Sequence, residues 1–112
     1  MIEIKILEEN DYQLIQVQGD VDASSSIELD NALKKASESA HKILVDLEGL
    51  QYISSAGLGV FISYLEDLKA KNIKMVLFGM QPKVLEVFQI LGLQNLIAIA
   101  DNKDESLSLL NE

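Results

Sequence analysis

Cysteine, tryptophan and arginine are absent from the chain, and histidine occurs once, as His41. Without cysteine there is no disulfide frame, thiol nucleophile or thiolate metal site, a composition that suits a reducing cytosol. One histidine cannot build a histidine-rich metal centre, and without arginine no guanidinium fork can clamp a substrate phosphate. Positive charge is scarce: nine lysines face eighteen acidic residues, for a formal charge of −9. That sign repels polyphosphate backbones and anionic bilayers, so no nucleic acid and no membrane surface is expected as a partner. Long apolar runs are missing too, since Glu, Asp, Lys or Gly interrupts each one well short of the ~20 residues that span a bilayer. Met1-Ile2-Glu3-Ile4-Lys5 alternates apolar and charged residues and lacks the basic start and apolar run of a signal peptide. A soluble, cytoplasmic protein without membrane insertion is expected.

What is present is enough for one core. With 112 residues, 48% of them apolar, residues 1–112 read as a single domain without linker, internal repeat or low-complexity segment. Ile2, Ile4 and Ile6 predict a strand, and Leu14, Ile15 and Val17 a second one, joined as a hairpin through Glu9-Asn10-Asp11 and ending at Gly19-Asp20. From Ser25 or Ser26 the spacing of Ile27, Leu29, Ala32, Leu33, Ala36 and Ala40 predicts a helix, with cap candidates between Asp22 and Ser26. Lys42 to Leu47 reads as a central strand covered on both faces, with Gly49 breaking the chain after it. A second helical stripe runs through Leu58, Phe61, Ile62, Leu65 and Leu68, and Ile73 to Phe78 is a further strand. Together these form a strand, helix, strand unit, expected to be a parallel crossover. Pro82 opens a third helix that ends at Gly92, Leu96 to Ala100 reads as a short edge strand, and a weak helix follows near Asp104 to Leu110.

The passage Asp46-Leu47-Glu48-Gly49-Leu50-Gln51-Tyr52-Ile53-Ser54-Ser55-Ala56-Gly57-Leu58-Gly59 puts two hydroxyls at a strand-to-helix junction. Free N–H groups and the positive end of the helix dipole favour an anion there, so a phosphoserine would be stabilised. The plainer alternative is that one serine is an N-cap and the small residues allow close packing. The glycine spacing is not that of a P-loop, and no lysine follows Gly59. His41 precedes the central strand and therefore lies at the end of the sheet opposite Ser55, which argues against a serine triad. Other carboxylates read as solvated faces, whereas Asp20 and Asp22 follow a strand directly and lie near Ser55 across adjacent loops or cap the first helix.

Asp46-Leu47 followed by Tyr52-Ile53-Ser54-Ser55-Ala56-Gly57-Leu58-Gly59-Val60, with Gly19-Asp20-Val21-Asp22 upstream and Gly79-x-x-Pro82 downstream, resembles the STAS domain of bacterial anti-sigma-factor antagonists. The likeness covers nearly the whole chain and includes the order of elements. It implies an α/β fold with a single mixed sheet of about five strands and helices packed mainly on one face. It also implies a binding module and not an enzyme, with no catalytic residue, metal or cofactor.

In that family the loop usually reads Asp-Ser-Ser/Thr-Gly, and its first serine is phosphorylated by a kinase with a histidine-kinase-like ATPase fold. Anchoring on Gly57 makes Ser55 the implied phosphoacceptor, with Ser54 as the alternative. Ser54 stands in the place of the usual aspartate and Ala56 in that of the second hydroxyl. The implied partner surface comprises Asp20, Asp22, Ser54, Ser55, Ala56 and Gly57. The implied partners are an anti-sigma factor that is also a serine kinase, and a metal-dependent serine phosphatase. Unphosphorylated protein would bind the anti-sigma factor and release the sigma factor, and phosphorylation of Ser55 would end that binding. The alternative is an unphosphorylated STAS scaffold subunit of a lipid-transport or stress-signalling complex.

Overall fold

In the computed structural model, which describes residues 2–112, the period-two alternation of Ile2, Ile4 and Ile6 with Glu3 and Lys5 becomes strand β1, Ile2–Glu8. The Glu9 N–H closes the turn on the Tyr12 carbonyl at 2.9 Å. The chain returns antiparallel as β2, Gln13–Val21, which sets Ile6 opposite Ile15. Helix α1, Ser26–Ser39, buries Leu29, Ala32, Leu33 and Ala36 on one stripe. Then come β3 (Lys42–Ile53), α2 (Ser55–Ala70), β4 (Lys74–Phe78), α3 (Pro82–Ile90), β5 (Ala98–Ala100) and α4 (Lys103–Leu110). The sheet has the order β1-β2-β3-β4-β5, and β2 to β5 run parallel. β3, α2 and β4 form the parallel crossover that their residue pattern predicts.

Apolar residues at consecutive positions of β3 explain why the sheet is covered twice. Ile43, Val45, Leu47, Leu50 and Ile53 face a core shared with Leu29 and Leu33 of α1, Phe61 and Leu68 of α2 and Phe88 of α3. Leu44 faces the other way and packs with Leu14, Val76, Phe78 and Leu110 of α4. Three helices therefore lie on one face and one on the other, as expected. Phe61 and Phe88 meet with ring centroids 6.2 Å apart and planes tilted by 59°, joining α2 to α3 inside the larger core.

Two strands are longer than their residues suggest. Gly49 does not break the chain, because β3 continues through it for 12 residues in all. β2 likewise passes Gly19-Asp20 and ends at Val21. Their backbones stay paired because two register shifts, between Gln16 and Gln18 and between Gly19 and Asp20, each absorb one extra residue of β3. A Cβ at Gly49 would sit 2.7 Å from the Gln18 Cγ, so glycine here permits a close approach between strands. The last strand is shorter than expected. A 3-10 turn at Leu93–Asn95 holds the Leu96 and Ile97 N–H groups on the Leu93 carbonyl, which leaves β5 to start at Ala98.

Candidate functional site

Because β2 and β3 are parallel neighbours, their carboxyl ends deliver two loops side by side. Asp20 pairs with Tyr52 and Val21 with Ile53. The Ser54 N–H then donates to the Val21 carbonyl at 2.8 Å, tying the start of α2 to the end of β2. Gly57 is buried against both strands, and a Cβ there would lie 2.7 Å from Val21 Cγ1 and 2.8 Å from Ile53 Cγ1. That glycine sets how closely α2 rests on the sheet, and with it the position of the two serines.

The two hydroxyls are not equivalent. Ser54 is the N-cap of α2, half-buried and in extended conformation, and its Oγ accepts the Gly57 N–H at 3.3 Å. Ser55 is the first residue of the helix and exposed. Its hydroxyl makes no hydrogen bond among the described residues. N–H groups of the first helical turn have no intrahelical acceptor of their own, so an oxyanion at Ser55 would find donors beside it. Ala56 is exposed next to it.

Across the gap, the Asp22 carboxylate closes the loop between β2 and α1. Its Oδ1 accepts the Ser25 N–H and the Ser25 hydroxyl, both at 2.8 Å, and the Ser24 hydroxyl and N–H at 2.9 and 3.1 Å. The Ser25 N–H, then the two hydroxyls, hold this carboxyl down to a pKa of about 2, below its ordinary 3.8. The residue pattern points to caps in Asp22 to Ser26; the N-cap position of α1 is Ser25, whose side chain makes no cap hydrogen bond, and Asp22 instead accepts from Ser24 and Ser25 in the turn that precedes the helix. Asp20 is half-buried, and its carbonyl accepts the Ser25 hydroxyl at 3.2 Å. On the far side, Tyr64 of α2 donates its hydroxyl to the Asp30 carbonyl of α1 at 3.1 Å, and burial, with that bond, pushes the phenol up to about 12.

The structure thus brings together Asp20, Asp22, Ser54, Ser55, Ala56 and Gly57. His41 is not among them: it is exposed at the amino end of β3, where its carbonyl accepts the Lys74 N–H at 2.9 Å. No group of three or more His, Asp or Glu side chains among the described residues is placed to hold a metal. No helix among them is long and apolar enough to cross a membrane. The fold presents a serine at an exposed helix start, with an ionised loop carboxylate as neighbour.

The STAS domain family model matches residues 3–106. The chain belongs to the STAS family. A curated relative of this STAS domain, an anti-sigma-B factor antagonist of Listeria monocytogenes, is 32% identical over 106 residues, covering 93% of each chain. Among solved structures, an anti-sigma factor antagonist from Mycobacterium paratuberculosis superimposes with a TM-score of 0.90 at 17% identity, covering 100% of this STAS domain and 96% of that protein. The phosphorylated form of the Bacillus cell fate determinant SpoIIAA gives 0.70 at 19% identity, covering 96% and 97%. These two likenesses bear on the fold, in which the five-stranded mixed sheet and four α-helices are shared.

Proposed function

We propose that this STAS domain is an anti-sigma-factor antagonist whose partner binding is switched by phosphorylation of Ser55. Unphosphorylated, it binds an anti-sigma factor that is also a serine kinase, so that the sigma factor is released. Phosphorylation ends the binding, and a metal-dependent serine phosphatase restores it. The observation that carries the reading is the contrast at the start of α2: Ser54 Oγ caps the helix while the Ser55 hydroxyl stands exposed. A kinase has to seat the hydroxyl it modifies, and Ser55 can be seated without undoing a cap. Support for the class of partner comes from the anti-sigma-B factor antagonist at 32% identity.

The switch requires no change of fold. A phosphoryl group adds about −1.5 to −2 charge near neutral pH, at a surface the partner must desolvate and beside a carboxylate that is already ionised. Incubation with the cognate kinase and ATP should label Ser55, and Ser55→Ala should abolish the label while Ser54→Ala keeps it. Persistent labelling of Ser55→Ala moves the acceptor elsewhere. Recovery of a transporter ATPase from native cytosol, with no kinase and no phosphoserine, would favour the scaffold role.

A further inference from the structure

The sheet ends on two edges of unequal length. β5 has only Ala98–Ala100, whereas β1 offers Ile2–Glu8, with a paired strand on one side only. That strand is β2, and α1 packs on one face of β1, while α4 lies over β3, β4 and β5 on the other face of the sheet. Ile2, Ile4 and Ile6 turn towards the α1 face, where they are half-buried against the larger core. Glu3 and Lys5 stand exposed on the opposite face, and their ladder partners on β2 are the neutral Gln18 and Gln16. A free strand edge presents unpaired N–H and C=O groups to any other strand, and charged side chains decide what may add to it.

The order of residues on β1 is complementary to itself. A second copy related by a two-fold axis perpendicular to the sheet brings β1 against β1 antiparallel, with like faces together and every contact made twice. With Ile4 opposite its own counterpart, Ile2 meets Ile6 and Glu3 meets Lys5. The neighbouring registers that keep the faces together set Glu3 against Glu3 or Lys5 against Lys5, and like charges directly opposite are destabilising. Neighbouring strands lie about 4.8 Å apart, so α1 and its copy, each over β1 and β2, come to about 10–14 Å, enough for two helices side by side. The formal charge of −9 resists association in general, but salt screens it beyond about 8 Å, whereas Glu3 and Lys5 act at contact.

We infer that β1 is a self-recognition edge through which two copies of this chain join their sheets, Ile2 to Ile6 of one lying antiparallel to Ile6 to Ile2 of the other. The two-fold axis sends the Ser55 loops, which follow the carboxyl ends of β3, to opposite ends of the joined sheet, so both stay open to a partner. A joint of one strand edge about 17 Å long covers less than the about 800 Å² per partner of a stable complex, so the dimer should form reversibly and grow with concentration.

The test is sedimentation equilibrium of the untagged full chain over a wide range of concentration at physiological salt. Wild type should pass from monomer to dimer. Glu3→Lys and Lys5→Glu should each raise the dissociation constant by about tenfold or more, because each turns both opposite-charge pairs into like-charge pairs. Glu3→Lys also lowers the net negative charge, so general repulsion between copies predicts the reverse for that variant. The double variant Glu3→Lys/Lys5→Glu should restore the wild-type constant. So should an equimolar mixture of the two single variants, which are complementary to each other. Melting curves should match wild type, since both side chains are exposed. Should a charge reversal unfold the chain, Glu3→Gln or Lys5→Gln in its place should weaken the dimer by a smaller factor. A wild type that stays monomeric throughout, a dimer that survives both single variants, or a folded double variant that stays monomeric each overturns the β1 joint.

Discussion

At the scale of the residue, neighbouring side chains of the same type do different work because one hydrogen bond separates them. Ser54 and Ser55 are adjacent, yet the cap bond to the Gly57 N–H belongs to Ser54 alone. Replacing Ser55 by Asp sets two opposing effects against each other. A negative charge at a helix start gains about 0.3–1 kcal/mol from the dipole, whereas burying an unmatched charge in an interface costs about 2–5 kcal/mol. The interface effect dominates. The isolated Ser55→Asp protein should melt close to wild type while its affinity for the kinase falls tenfold or more, at about 1.4 kcal/mol per decade. Ser55→Ala should bind and stay bound in the presence of ATP, and equal calorimetric affinities for Ser55→Asp and wild type would remove charge from the switch. Asp22 offers a pH test. Its folded pKa of about 2 lies below the ordinary 3.8, so its contribution to stability is full above about pH 4 and is lost as the pH falls towards 2. Asp22→Ala should melt a few degrees lower at neutral pH and keep its fold. Melting curves of the two proteins should converge between about pH 4 and pH 2, and a gap that stays constant would deny the carboxylate that role.

At the scale of the element, α2 carries two glycines whose reasons differ. Gly57 has no room for a side chain between Val21 and Ile53, whereas nothing lies within 4 Å of a Cβ built at Gly59. Overpacking a tight contact costs about 1–3 kcal/mol, and replacing an exposed helical glycine by alanine gains about 0.5–1 kcal/mol. Gly57→Ala should therefore lower, and Gly59→Ala raise, the urea midpoint. Gly57→Ala should also slow labelling of Ser55, because the start of α2 has to lift off the ends of β2 and β3. Unchanged stability in Gly57→Ala would mean that the strand ends yield freely. The sequence pattern marks both glycines as small residues that allow close packing, and only the contacts around each show which one needs to be small.

At the scale of the whole molecule, the sheet is a slab sealed on two faces by unequal covers. Three helices close one side, while α4 closes the other chiefly through Leu110, which is fully buried with Leu14, Leu44, Val76 and Phe78. Emptying that position leaves a cavity that a single eight-residue helix has few means to refill. Leu110→Ala should cost about 2–5 kcal/mol in equilibrium unfolding. The fraction that stays folded should still be labelled at Ser55, because the site lies where α1 and α2 begin, on the other cover. A loss of labelling in step with no loss of stability would show that the two faces are coupled.

The kinds of element and their order were legible in the residues themselves. Alternation in Ile2, Ile4 and Ile6, the stripe from Leu29 to Ala36, the apolar run Ile43 to Val45 and Pro82 at a helix start are local signals, and local periodicity is what separates strand from helix. The Ser54-Ser55-Ala56-Gly57 segment, flanked by its strand and helix, was enough to mark the family and its candidate serine. What the sequence left open depends on pairing between segments far apart in the chain. β2 and β3 run past Gly19 and Gly49 because each supplies the other's hydrogen bonds and their register can shift. Asp22 comes to lie beside Ser54 because Val21 and Ile53 are ladder partners. Which serine caps, which carboxylate is held ionised and which apolar side chains stay exposed were decided by tertiary structure, since each turns on a hydrogen-bond partner or a covering element that adjacent residues do not specify.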